Sequence, residues 1–251
     1  MVLSGFFVTN ALVAEFIGVK LFSLEKTFGY EEVNWTIFGQ NNLSFTLTAG
    51  VLLWPVVFVM TDIINEYYGR RGVRRLSYMT AGLIAYGFLM IFGAIHLDPA
   101  EFWRSSHQSN PNVSADIKAA VSDYNAAFQL TFGQSLWIIV ASLVAFLVGQ
   151  VADVSAFHWI KKSTGERKIW LRATGSTMIS QFIDSFVVIF IAFYIGAGWS
   201  LSRVLAISIM SYIYKATMAV LLTPVIYAVH GIIERYLGAE LAEKMRKAAQ
   251  H

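Results

Sequence analysis

Two pairs of residues in this chain, Gln150 with Asp153 and Gln181 with Asp184, set an amide three positions before a carboxylate. On a helix that spacing puts both groups on one face, about one turn apart. An amide both donates and accepts, and a carboxylate accepts, so each pair suits a ligand carrying several N–H groups and a carbonyl. Guanine-like and pteridine-like heterocycles present such an edge. Other polar groups stand in apolar surroundings: Asn10 and Glu15, then Thr61, Asp62 and Glu66, and finally Lys215. A charge at the centre of a bilayer costs about 2.5–3.5 kcal/mol, so each needs a partner, a water-filled cavity or a task.

Structural roles compete at several of these positions. Glu66 reads as an interfacial residue paired with Arg70 at i+4. Lys215 either neutralises Asp184 on a neighbouring helix or contacts a ligand. Asp62 and Asp153 lie about two turns from one end of their segments and reach water or the arginine-rich loops. Glu15 faces a protein partner or stays protonated. A full set of idle carboxylates is not expected inside a membrane, so at least some of these groups should serve a ligand. Phe58, Phe157 and Phe182 are candidates to stack on a planar ring.

The elements that must position these groups follow from hydropathy. The chain has 251 residues, 56% of them hydrophobic and only 14% charged, with a mean hydropathy of +0.56. A soluble domain carries roughly a quarter charged residues, so lipid must solvate much of this surface. Six apolar segments emerge, at about Leu3–Leu24, Leu43–Tyr67, Leu76–Leu97, Thr131–Trp159, Ala173–Ala197 and Leu201–Val229. The expected fold is an all-α integral membrane protein with six transmembrane helices, forming one transporter domain over residues 1–251.

Basic residues set the expected orientation. Arg70, Arg71, Arg74 and Arg75 follow the second segment, and Lys161, Lys162, Arg167, Lys168 and Arg172 follow the fourth. Arg235, Lys244, Arg246 and Lys247 follow the sixth, whereas the alternate loops hold only Lys26, Arg104, Lys118 and Arg203. Positive flanks resist translocation, so the basic loops and both termini should be cytoplasmic. The first segment lacks a basic leader and reads as a retained span. The connection over 98–130 should be external, with an amphipathic helix marked by Val113, Ile117, Val121, Tyr124 and Phe128. Pro55 and Pro224 are expected to kink the second and sixth helices. Ala141, Ala145 and Gly149 form a small-residue stripe with three readings: an internal seam, a homo-oligomer contact, or a dock for separate subunits.

Several chemistries are missing. No phosphate-cradling loop with Lys and Ser/Thr is present, so the chain has no ATPase of its own. Cysteine is absent, and His96, His107, His158, His230 and His251 are scattered without ligand spacing, so neither a metal nor another cofactor is expected. The net charge of +3 lies in inter-helix loops, a topology signal that implies no nucleic-acid partner. An enzyme of the membrane interior would show a Ser/His or His/Asp cluster at depth, and none is visible.

The run Trp54-Pro55 with Thr61-Asp62-Ile63-Ile64-Asn65-Glu66-Tyr67-Tyr68-Gly69-Arg70 resembles a signature of the queuosine precursor transporter family, formerly labelled a putative vitamin uptake family. Gly149-Gln150-Val151-Ala152-Asp153 with Phe157, then Trp170-Leu171-Arg172, Ser176-Thr177 and Asp184, resembles a second signature. Tyr212-Ile213-Tyr214-Lys215 with Pro224 resembles a third, and Asn10 stands where the family has an asparagine. The resemblance implies a bacterial inner-membrane importer of 7-cyano-7-deazaguanine, with its aminomethyl analogue as a further candidate solute, and a six-helix plan related to vitamin-binding S-component subunits. The expected site is then Asn10, Asp62, Gln150, Asp153, Gln181, Asp184 and Lys215, with Asp184 or Asp153 first in line to accept the amidine N–H groups. A self-sufficient transporter is the leading expectation; a binding subunit needing separate ATPase partners is the rival.

Overall fold

A computed structural model of the protein describes residues 2–133, 136–164 and 169–249. The first apolar segment is helix α1 (Val2–Ile17), shorter than its hydropathy implied. The chain then leaves the helix at Gly18 and forms strand β1 (Leu21–Ser23), the single turn α2 (Leu24–Thr27), and strands β2 (Trp35–Ile37), β3 (Gln40–Leu43) and β4 (Thr46–Thr48). β1 pairs antiparallel with β4, and β2 with β3. The β2–β3 loop is Phe38-Gly39, both at positive φ, as a two-residue hairpin turn requires. Glu25 anchors this cap: the Phe45 N–H donates to it at 2.9 Å and the Ser23 hydroxyl at 3.2 Å. Burial pushes its carboxyl up, but these hydrogen bonds outweigh that and hold it below the ordinary glutamate value.

The second expected helix therefore does not begin at Leu43. Leu43 and Thr46–Thr48 are claimed by strand pairing and a 3₁₀ turn follows (Ala49–Leu52), so helix α3 (Trp54–Ile95) starts at Trp54. Pro55 sits in its first turn, where the missing N–H costs nothing, and produces no kink. The break comes instead at Gly69, whose φ of 68° and ψ of −177° interrupt the helix. The two arms, 54–68 and 70–95, fold back on each other. Thr61 and Ser77, eight residues either side of Gly69, both donate to Oε1 of Gln150 at 3.4 Å. On a straight helix they would stand about 24 Å apart.

Residues 98–132 hold four short helices: α4 (Glu101–Arg104), α5 (Ser106–Ser109), α6 (Ala115–Ala120) and α7 (Tyr124–Phe132). Three long helices follow, α8 (Leu136–Thr164), α9 (Ile169–Ile189, extended by a π turn over Phe190–Ile195) and α10 (Leu201–Leu221). The sixth expected helix stops at Leu221 because Thr223-Pro224 opens a new one, α11 (Thr223–Leu237), so this proline also caps a start and kinks no interior. Helix α12 (Ala239–Ala248) closes the chain.

The core joins α1, both arms of α3 and α8 through Phe7, Val57, Ile84 and Phe146. The small-residue stripe is an internal seam. Ala141 and Ala145 are fully buried, and a Cβ at Gly149 would meet Cβ of Asp184 at 3.6 Å, so α8 and α9 lie close together there. Outward, large apolar side chains such as Leu89, Phe92, Val151 and Leu221 are exposed. Four helical stretches among the described residues are long and apolar enough to cross a bilayer, one of them the doubled α3. Long helices with an apolar exterior, and polar groups such as Asp62, Gln150 and Gln181 kept inside, mark an all-α membrane protein.

Candidate functional site

Ends of the bundle differ in charge. The α3 turn at Gly69 meets the backbone of Ala249, the Glu66 carboxylate pairs with Lys161 of α8 at 3.4 Å, and Leu3 packs beside Tyr67, Ile226 and Ala242. Arg70, Arg71, Arg74 and Arg75 leave from the same turn, so the basic segments and both chain ends gather on one side. Arg167 and Lys168 lie outside the described residues, as do His251 and the side chains of Trp170 and Arg172. The expected i+4 geometry from Glu66 to Arg70 does not exist, because Gly69 breaks the helix between them.

Between the first arm of α3 and α9, α10 and α11 lies an internal cavity. Asp62, Gln181 and Lys215 contribute to its wall, with Trp54, Phe58 and Tyr214 as aromatic neighbours. Gln181 is its most informative member. It is buried, and among the described residues neither its Oε1 nor its Nε2 has a hydrogen-bond partner. A buried primary amide left unbonded on both atoms costs several kcal/mol unless something polar meets it in the cavity. Lys215 donates to Oδ2 of Asp184 at 2.6 Å, so the cation at the wall is neutralised from behind. Trp54 and Phe58 stack with ring centroids 6.0 Å apart, a flat apolar face beside the polar one. The open space is only about 30 Å³, enough for roughly two waters. A bicyclic ring enters only when an aromatic wall residue swings aside or the helices part.

Other expected site residues have different company. Asn10 donates to the carbonyl of Phe6, four residues earlier on its own helix, at 2.8 Å. Gln150 receives Thr61 and Ser77 and faces a separate cavity near the basic end. Asp153 is buried and accepts from the Ser180 hydroxyl at 3.2 Å, while its Oδ2 has no hydrogen-bond partner among the described residues. Glu15 accepts a short hydrogen bond from Ser142 of α8. Thus the two Gln–Asp pairs do not converge on one pocket: Gln181 faces the cavity with Asp62 and Lys215, while Gln150 and Asp153 pack on neighbouring helices. Of the stacking candidates, Phe58 reaches the cavity, Phe157 is core, and Phe182 is half exposed against Tyr212.

Thr174, Thr177, Tyr214 and Trp54 also line the wall, and none of them is among the expected site residues. A signal existed for the threonines, since 174, 177 and 181 fall on one helical face. Trp54 gave none, because a tryptophan near a span end is ordinarily an interfacial anchor.

Fold and cavity together describe an all-α membrane protein with a small, mostly apolar chamber at whose wall Asp62, Gln181 and Lys215 place polar groups. The chain belongs to the putative vitamin uptake transporter family, whose model matches residues 48–229. It is 27% identical over 192 residues to a probable queuosine precursor transporter of Bacillus subtilis, covering 75% of this chain and 73% of that protein. It is 24% identical over 214 residues to the queuosine precursor transporter of Escherichia coli, covering 80% and 79%. A probable queuosine precursor transporter of Haemophilus influenzae is 24% identical over 210 residues, covering 82% and 77%. No solved structure matches the chain.

Proposed function

We propose that the protein imports a queuosine precursor of the 7-deazaguanine class, 7-cyano-7-deazaguanine or its aminomethyl analogue, across a bacterial inner membrane. The basic end then faces the cytoplasm, with both termini on that side. Asp62 accepts the N1–H and exocyclic NH₂ of the amidine edge in parallel. Gln181 meets the carbonyl and ring N–H, Lys215 adds a positive charge near the carbonyl, and the heterocycle lies against Trp54 and Phe58.

One observation carries this reading: Gln181 is buried at the cavity wall with both amide atoms unbonded, beside a carboxylate and a cation. The names of the relatives supply the chemical class of solute. The test is a titration of the purified protein with 7-cyano-7-deazaguanine, beside Gln181→Leu and Asp62→Asn and with adenine as the control ligand. Each variant should weaken binding about ten- to hundredfold, the range for hydrogen bonds to a charged or fully desolvated partner. Adenine, which lacks the N1–H and 2-amino donors, should not compete. Variants that bind as tightly as the native chain would remove this site assignment; no binding by the native chain would remove the solute class.

A further inference from the structure

A second cavity, of about 280 Å³, opens between the second arm of α3 and α8 near the basic end. The solute reading makes no use of it. Arg70, Arg74 and Tyr78 line one wall, and Leu147, Val151 and Val154 line the other. Arg70 and Arg74 stand one helical turn apart on the same face. Neither has an acidic partner within ion-pair distance among the described residues, whereas Lys161, Lys215, Lys244, Arg246 and Lys247 all do. Two guanidinium groups converging on open space, with a phenol beside them, form a donor set suited to a phosphate oxyanion.

What adjoins the cavity decides where that phosphate comes from. Val144, Val148 and Val151 follow one another at helical spacing on α8, and their exposures of 37%, 41% and 54% mark a lipid-facing stripe that ends at the cavity. The α3 arm presents Tyr78, Tyr86 and Leu89, also exposed, on its own outer surface. An apolar track running from a cationic pocket towards the bilayer centre is where an acyl chain lies when its head group sits in the pocket. A free phosphate has no use for it.

We propose that this cavity binds an anionic phospholipid, the phosphate held by Arg70, Arg74 and the Tyr78 hydroxyl, and one acyl chain resting along the valine stripe of α8. The site is separate from the solute cavity and stands or falls without it.

Native mass spectrometry of the protein released from micelles, titrated with phosphatidylglycerol or phosphatidylcholine, tests the proposal. Phosphatidylglycerol should be retained in preference to phosphatidylcholine. Arg70→Gln with Arg74→Gln should weaken its binding about thirtyfold, from roughly a tenfold or smaller contribution per charge near a lipid phosphate. The pair Arg71→Gln with Arg75→Gln removes the same charge outside the cavity and should change binding less than about threefold. Equal losses in the two double variants would reduce the effect to general surface charge and overturn the site. Should the glutamine pair fail to insert, Arg70→Lys with Arg74→Lys keeps the topology signal but loses the planar fork, and should still bind several-fold more weakly. Glycerol phosphate at matched concentration should not displace the lipid; displacement would mean a free-phosphate site and would also overturn the proposal.

Discussion

Lys215 shows how the same side chain answers to two demands. Its ammonium borders the cavity and also holds Asp184 at 2.6 Å, with both side chains about one-fifth exposed. Removing one member of such a pair strands the other in a medium that cannot solvate it. Lys215→Met should therefore lower stability by about 2 kcal/mol, somewhat less than the ~3–5 kcal/mol for a fully buried pair. Asp184→Asn combined with Lys215→Met should recover most of that loss in a thermal melt in detergent. A double variant no more stable than the single one would mean that Lys215 acts through its other contacts. Gln181 behaves oppositely. Nothing in the described protein satisfies it, so its replacement by Leu should leave folding intact and be felt in ligand binding.

Among elements, α3 is decisive, because one of its glycines, Gly69, breaks it into two antiparallel arms. At Gly69 the backbone lies in a region essentially reserved for glycine, and a Cβ there would come within 2.6 Å of the Ala249 carbonyl oxygen. Gly69→Ala should destabilise the fold by about 1–3 kcal/mol, read as a lowered melting temperature. Trimming the chain after Lys247 should relieve the clash but not the backbone strain, so the trimmed variant should recover only part of the loss. Full recovery would place the whole cost in the contact with Ala249. The seam between α8 and α9 has a related logic: alanines and a glycine let the helices approach closely enough for Asp184 to lie against Gly149.

For the whole molecule, the separation of charge between the two ends is the feature with the widest consequence. The arginine turn, Lys161 and the terminal helix share one end, while the two small sheets (β1–β4 and β2–β3) and the short helices of residues 101–132 sit on loops between the opposite span ends. The chain contains no cysteine, so single introduced thiols report position without background. In intact cells stripped of their outer membrane, a membrane-impermeant maleimide should label Glu31→Cys at once. It should label Lys244→Cys only after permeabilisation. The reverse pattern would invert the topology and the direction assigned to import.

Much of this was legible in the one-dimensional pattern. Solvent class followed from apolar content, the long apolar helices from hydropathy, and the common side of the arginine and lysine runs from their alternation between loops. Gln181, Asp62, Asp184 and Lys215 stood out because an ionisable or amide group in an apolar run is costly unless it has a partner or a use. These are local properties, carried by residue type and spacing, and no partner segment is needed to read them. The tertiary structure alone decided which groups met. Gln181 and Gln150 carry the same Gln-x-x-Asp spacing, yet one faces the cavity between α3 and α9–α11 with its amide unbonded, and the other clamps both arms of α3 beside a different cavity. Pro55 and Pro224 look like kinks in a continuous apolar run and prove to be helix starts, since strand pairing and a helix break upstream reset where each helix begins. Convergence of side chains depends on helix rotation and on where the chain folds back. Those are set by long-range packing, which spacing along a single segment does not encode.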